Sequence, residues 1–155
     1  GNSMSLEWIR RMEERDLDEV LAIENDAFLT PWSRSSFLNE IHGSNAVPLV
    51  LIEPGSQRVA GYLCSWIVLD ECHILNLAVR RDCRRRGYAS RMIDHLIRFC
   101  REKDVERYYL EVRVSNVRAI TLYEKFGFHV CGLRKAYYQD TGEDAFIMLR
   151  SAPCQ

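Results

Sequence analysis

Residues 84–89, Arg-Arg-Arg-Gly-Tyr-Ala, lie between an apolar, strand-like run at 74–79 and a strongly periodic helical segment. A strand feeding a basic, glycine-containing turn that opens a helix aims several unpaired backbone N–H groups, and the positive helix end, at one point. Such a point is an anion site, and the natural anion for an enzyme is a phosphate or pyrophosphate. Gly87 would let a ligand approach the backbone with no Cβ in the way. The turn lacks the G-x-x-x-x-G-K-S/T pattern of phosphate-cradling P-loops and the G-x-G-x-x-G dinucleotide fingerprint. It reads instead as Gln/Arg-x-x-Gly-x-Gly/Ala, from Arg84 through Arg85, Arg86, Gly87 and Tyr88 to Ala89, with Ser90 next in the helix.

Two further groups stand out. In the strand expected over 108–114, Leu110 and Val112 face one way while Glu111 and Arg113 face the other, so Glu111 is either a reactive carboxylate or a cross-strand ion-pair partner. In the helix expected after Asn116, Tyr123 shares helical spacing with Ala119, Ile120 and Phe126, as a core residue would. Asn116 is a natural N-cap and Gly127 a natural C′ residue for that helix.

The elements needed to position these groups can be traced along the chain. A strand is expected at 8–12, and Asp16 is a plausible N-cap for a helix whose face carries Leu17, Val20, Leu21 and Ala27. Thr30-Pro31-Trp32-Ser33 breaks that helix, and Ser33 can cap a second running to about Ile41. Segments 47–52 and Val59–Val68 around Pro54-Gly55-Ser56-Gln57 form a hairpin, followed by a strand at 72–79 whose end is apolar on both faces. Ala89, Met92, Ile93, Leu96, Ile97 and Cys100 trace the stripe of the next helix. Strands at 128–133 and 145–149 close the chain around Asp140-Thr141-Gly142-Glu143. The order β-α-α-β-β-β-α-β-α-β-β predicts an α/β (α+β) fold with a mixed, mostly antiparallel central sheet flanked by helices.

Composition sets the outer limits. The chain has 155 residues, 47% of them hydrophobic, enough for one domain over 4–155, with Gly1-Asn2-Ser3 read as a tag remnant. A formal net charge of −1 gives no global basic field, so no nucleic-acid partner is expected. No run is long and apolar enough for a membrane span, no signal peptide is present, and the six cysteines lack metal-site spacing. A reduced, cytoplasmic chain without a metal follows. His42, His73, His95 and His129 read as structural or solvent-facing. A covalent route through Cys72 or Cys83 lacks a histidine to activate it.

The 84–89 turn resembles the acyl-CoA pyrophosphate loop of the GNAT superfamily of N-acetyltransferases, and the element order is similar to that fold over nearly the whole chain. Three more segments resemble one branch, the bacterial ribosomal-protein alanine N-acetyltransferases (the RimI group). These are Asn116-Val117-Arg118-Ala119-Ile120 with Leu122-Tyr123 and Phe126-Gly127-Phe128, then Leu110-Glu111-Val112-Arg113, then Pro31-Trp32-Ser33 with Tyr137-Tyr138. Ala89 stands where glycine is common and Arg84 where glutamine is frequent.

The resemblance implies acetyl-CoA as co-substrate and direct attack of an amine on the thioester. It implies Glu111 as general base and Tyr123 as the acid for the departing thiolate. Leu77, Ala78, Val79, Arg84, Arg85, Arg86, Gly87, Tyr88, Ala89, Ser90 and Asn116 would bind the cofactor, and Trp32, Tyr137 and Tyr138 the acceptor. The implied substrate is a protein N-terminus, the alanine amine of the eighteenth small-subunit ribosomal protein. The alternatives are a GNAT enzyme for another amine, lysine or a polyamine, and a non-catalytic acetyl-CoA-binding module.

Overall fold

The computed structural model describes residues 8–151; the tag remnant, Cys154 and the outermost residues of the 4–155 unit lie outside the described residues. The elements are β1 (Ile9–Arg11), α1 (Leu17–Ala27), α2 (Arg34–His42), β2 (Ala46–Ile52), β3 (Val59–Val68), β4 (Glu71–Val79), α3 (Tyr88–Arg101), β5 (Arg107–Arg113), α4 (Val117–Lys125), β6 (His129–Tyr138) and β7 (Glu143–Ser151). One sheet runs β1-β2-β3-β4-β5-β7-β6. Among the described residues only β4 and β5 pair in parallel, so the sheet is mixed and mostly antiparallel, as expected.

Helices cover both faces. Met92, Ile93, Leu96, Ile97 and Cys100 of α3 and Tyr123 of α4 pack with Leu63, Ile74, Leu110 and Met148 of the sheet. Leu17, Val20 and Ile23 of α1 and Phe37 of α2 pack with Val50, Val59, Tyr62 and Ala78 on the opposite face. Each fully buried aliphatic side chain in these layers contributes about 1.5–3 kcal/mol. Gly61 is required by space: a Cβ there would meet the Ala78 carbonyl oxygen at 2.8 Å and Met92 Cε at 3.0 Å.

Local signals explain most helix ends. The Ser33 hydroxyl accepts the Ser36 N–H (3.2 Å), and Asn116 Oδ1 accepts the Ala119 N–H (3.2 Å). Gly127 follows α4 with φ +86, the left-handed conformation a C′ residue needs. Asp16 departs from expectation, making no cap bond to α1. Its carboxylate instead takes both terminal nitrogens of Arg10 (2.8 Å each) and the Glu13 N–H (2.8 Å). A bidentate guanidinium outcompetes a backbone cap for the same oxygens.

The strands also correct the sequence reading at the two ends of the chain. β1 is shorter than 8–12, and the last hairpin is longer than 128–133 and 145–149. Register shifts between Val130 and Gly132 and between Arg134 and Tyr138 break the alternation of β6, which hid its length.

Two features of β4 prepare the site. Cys64 lies opposite Asn76 but Ser65 opposite Ile74, so Leu75 is an extra residue. The bulge inverts the alternation: Cys72 and Ile74 join the α3-side core, while Ala78 joins the α1-side core. Pairing with β5 stops after Glu71↔Arg107, Cys72↔Tyr108 and His73↔Tyr109. Beyond it, 74–79 of β4 and 110–113 of β5 are not paired with each other, leaving a cleft in the middle of the sheet.

Candidate active site

The 84–89 turn leads from β4, through a 3₁₀ turn at Arg81–Cys83, into α3. Arg85 (φ +66) and Gly87 (φ +78) take left-handed backbone conformations. No atom lies within 4 Å of a Cβ built on Gly87, so within the chain glycine is needed there for its φ, not for room. Gly87 is the N-cap residue of α3 and offers no side-chain cap, which leaves the first N–H groups of that helix available.

The three arginines do different things. The Arg84 Nε–H donates to the Val79 carbonyl (3.2 Å), occupying one backbone group of the 77–79 segment. Arg86 Nη1 donates to Glu53 Oε2 (3.0 Å), tying the turn to the β2–β3 hairpin. Glu53 also accepts from Ser56 (2.6 Å) and from Cys83 Sγ (3.3 Å). These bonds, the Ser56 bond foremost, hold the Glu53 carboxyl down to about 2. Arg85 is exposed and has no ion pair or side-chain hydrogen bond among the described residues. Tyr88 is buried in the α3-side core and so can offer a ligand only its backbone, whereas Ser90, next but one in the helix, is partly exposed and also carries a hydroxyl.

Glu111 lies two residues past the last β4–β5 pair, at the throat of the cleft. Its side chain is only 10% exposed, and Oε1 lies 2.8 Å from His73 Nε2. Arg134 Nε stands 3.9 Å from Oε2. The His73 bond is the main reason the Glu111 carboxyl sits below the ordinary carboxylate range, against an opposing push from burial. The His73 ring stacks on Tyr109 (4.3 Å between centroids, 13° between planes), which fixes its orientation.

His73, expected to be structural or solvent-facing, is thus partly buried and bonded to the Glu111 carboxylate. Nothing local signals the pair, because it forms across a parallel register that only the folded sheet defines. Of the pairings that the alternative reading of Glu111 allowed, the one with Arg113 does not form, because Arg113 bonds Asp140 (2.6 Å), whereas the one with a neighbour across the sheet does, to His73.

Tyr123 packs edge-on against Phe128 (5.6 Å) within the α3-side core. Burial raises its phenol above the ordinary tyrosine value. Its hydroxyl has no hydrogen bond among the described residues and is not one of the fully enclosed polar atoms. The core role and a free polar tip coexist in one residue. The thiols near the cleft are not poised as nucleophiles: Cys72 is wholly buried, and burial pushes Cys83 up to about 11.

The residues expected to hold an acceptor lie on the Glu111 side. Tyr137 and Tyr138 meet edge to face (5.0 Å), and Arg113 lies over the Tyr138 ring (4.0 Å). Burial carries the Tyr138 phenol up to about 12. Arg113 also reaches Thr141 (3.1 Å), and Asp140 accepts the Thr30 hydroxyl (3.2 Å). The loop after α1 is thereby tied to the β6–β7 turn. Trp32, in the same loop, packs on Phe37 of α2 (5.2 Å).

Residues 17–128 match the family model for the Acetyltransferase (GNAT) family. The chain belongs to the GNAT family. It is an N-acetyltransferase. A Bacillus subtilis (strain 168) protein, provisionally named a [ribosomal protein bS18]-alanine N-acetyltransferase, is 40% identical over 140 residues, covering 90% of this chain and 92% of the relative. The Escherichia coli (strain K12) protein named [ribosomal protein bS18]-alanine N-acetyltransferase is 36% identical over 142 residues, covering 90% and 94%. The crystal structure of the ribosomal-protein-S18-alanine N-acetyltransferase from Escherichia coli superposes with a TM-score of 0.86 at 34% identity, covering 95% of this chain and 94% of that one.

Proposed function

We propose that this GNAT enzyme transfers acetyl from acetyl-CoA to a protein N-terminus, the alanine α-amine of ribosomal protein bS18. The observation that carries the reading is the cleft between β4 and β5, with anion-binding N–H groups at one end and Glu111 at its throat. The family placement and the bS18-alanine names of the relatives support the substrate.

The donor set fits acetyl-CoA. The uncapped start of α3, Gly87, Ala89, Ser90 and the side chain of Arg85 suit the pyrophosphate. The backbone of Leu77, Ala78 and Val79 suits the amide-bearing arm, much as a sheet edge takes an added strand. Arg84, through Nε alone, and Arg86 also brace this turn, and Asn116, expected at the cofactor too, caps α4. The co-substrate supplies an activated acetyl thioester; the chain's residues do the rest.

An α-amine with a pKa of about 7.7–8.0 is roughly a tenth to a sixth neutral at pH 7, whereas a lysine near 10.4 is below a thousandth. The site thus needs to orient a neutral amine more than to strip a strong ammonium. As the new C–N bond forms, the nitrogen turns cationic and its proton becomes far more acidic than an ammonium proton. Even a carboxylate held low by His73 can then take it, directly or through a water, and such assistance is worth ~10²–10⁴-fold.

The C–S bond breaks as the amide forms, and sulfur leaves as a thiolate that is protonated by solvent once released. Full transfer from a phenol (about 10) to a thiolate (about 8.5) is uphill by ~2 kcal/mol, and burial of Tyr123 makes it steeper. Tyr123 therefore acts by a hydrogen bond that strengthens as negative charge develops on sulfur. Trp32, Tyr137 and Tyr138 shape the slot for the peptide. No described helix is long and apolar enough to cross a membrane, and a cytoplasmic location suits a ribosomal-protein substrate.

The test is incubation with acetyl-CoA and a peptide carrying the bS18 N-terminus, following thiol release and locating the acetyl group. Acetylation of the α-amine, abolished by blocking that amine and indifferent to internal lysines, is the expected result. Product acetylated on a lysine side chain with the α-amine free would replace this reading with a lysine acetyltransferase.

A further inference from the structure

Glu24 is a carboxylate on α1 that the chemistry above does not use, and it is 1% exposed. Among the described residues no cation lies against it. Three groups from different elements converge on its two oxygens instead. The Tyr62 hydroxyl of β3 (2.5 Å) and the Asn76 Nδ2 of β4 (2.7 Å) donate to Oε1, and the Trp32 backbone N–H donates to Oε2 (2.9 Å). Asn76 sits between the bulge at Leu75 and the 77–79 segment. Trp32 belongs to the loop tied at Thr30 to Asp140.

One buried side chain thus joins the strand offered to the acetyl-bearing arm to the loop offered to the acceptor. We infer that Glu24 is a positioning residue that sets the acceptor loop against β4, so that the amine and the acetyl group meet in register; this rests on the α-amine reading above.

The chemistry of the carboxylate makes the inference testable with one isosteric change. A carboxylate accepts at both oxygens, whereas a glutamine amide accepts at one and donates at the other. In Glu24→Gln the amide oxygen can serve Tyr62 and Asn76 together, which leaves an NH₂ facing the Trp32 N–H. The loop is released while the strand keeps its partner.

The expected result is a rise in KM for an alanine-starting peptide of about tenfold or more, the scale of a lost charge-assisted bond. Acetyl-CoA affinity by titration should change less than twofold, and Tyr62→Phe, which spares the Trp32 link, should leave peptide KM near that of the parent. A folded Glu24→Gln variant with unchanged peptide KM, or with acetyl-CoA affinity reduced as much as peptide affinity, overturns the assignment. Hydrogen exchange of the Trp32 amide in the unaltered protein tests it without a variant: slow exchange is required, and exchange at the rate of an open loop sinks it. If the parent fails to acetylate any α-amine, the substrate reading falls, while the amide exchange still reports on the link itself.

Discussion

The two walls of the cleft are built in opposite ways. The side proposed for the acetyl arm is one continuous stretch, 77–90, in which a strand end, a turn and a helix start follow each other. The amine side is gathered from distant segments: Thr30 and Trp32 after α1, Glu111 and Arg113 on β5, and 137–140 at the last turn. The Thr30–Asp140 bond alone spans 110 positions. A wall made from one stretch can be damaged at one residue. A wall made by cross-links should lose function in smaller steps as each link is cut, apart from the residue that meets the reacting nitrogen.

The largest effect is expected at that residue. Glu111→Gln keeps the shape but cannot take a proton, and turnover should fall by ~10²–10⁴-fold, most at low pH and with partial recovery as the amine deprotonates. Steady-state rates over a pH series check this, and parental turnover throughout would remove Glu111 from the mechanism. Next comes the acetyl side. Gly87→Glu places a strained φ, bulk and negative charge at the anion site, so acetyl-CoA affinity should drop by roughly tenfold or more. Unchanged affinity in a titration of the folded variant would break the contrast between the walls.

Smaller effects should sharpen it. Donation from His73 lowers the Glu111 pKa, so the carboxylate stays ionised to lower pH than an isolated one. Replacing His73 by Phe removes that donor, raises the Glu111 pKa, and should move the acidic edge of kcat/KM to higher pH while acetyl-CoA binding is kept. An edge that stays put, or moves lower, would mean that the pair does not govern the active carboxylate. The least change is expected at the exposed cross-link. Asp140→Asn weakens the bond to Arg113 and should raise peptide KM by about twofold to fivefold, with acetyl-CoA affinity and kcat near parental values.

Legibility in the sequence follows the same division. The stripe of α3, the caps at Ser33 and Asn116, the stop at Gly127 and the basic turn are all stated by residues within one helical turn of each other. Asp16 misled because its oxygens are claimed by Arg10, and β6 because two register shifts hide its alternation. His73 was set aside because its ring looks like any strand histidine until β4 and β5 lie parallel. The bulge at Leu75, which turns Asn76 toward Glu24, likewise depends on pairing with β3 rather than on the composition of β4.

The amino-acid sequence by itself determined the order of elements, the basic turn before α3 and the residue types available for acid–base work. Those rest on φ preferences, capping and hydrophobic period, which act over a few residues. Tertiary structure alone decided which carboxylate is ionised beside which imidazole, how Arg113 is divided between Asp140 and Tyr138, and what Glu24 holds together. Hydrogen bonds and ion pairs act over about 3 Å and are indifferent to distance along the chain, so their partners exist only once the sheet has set its register.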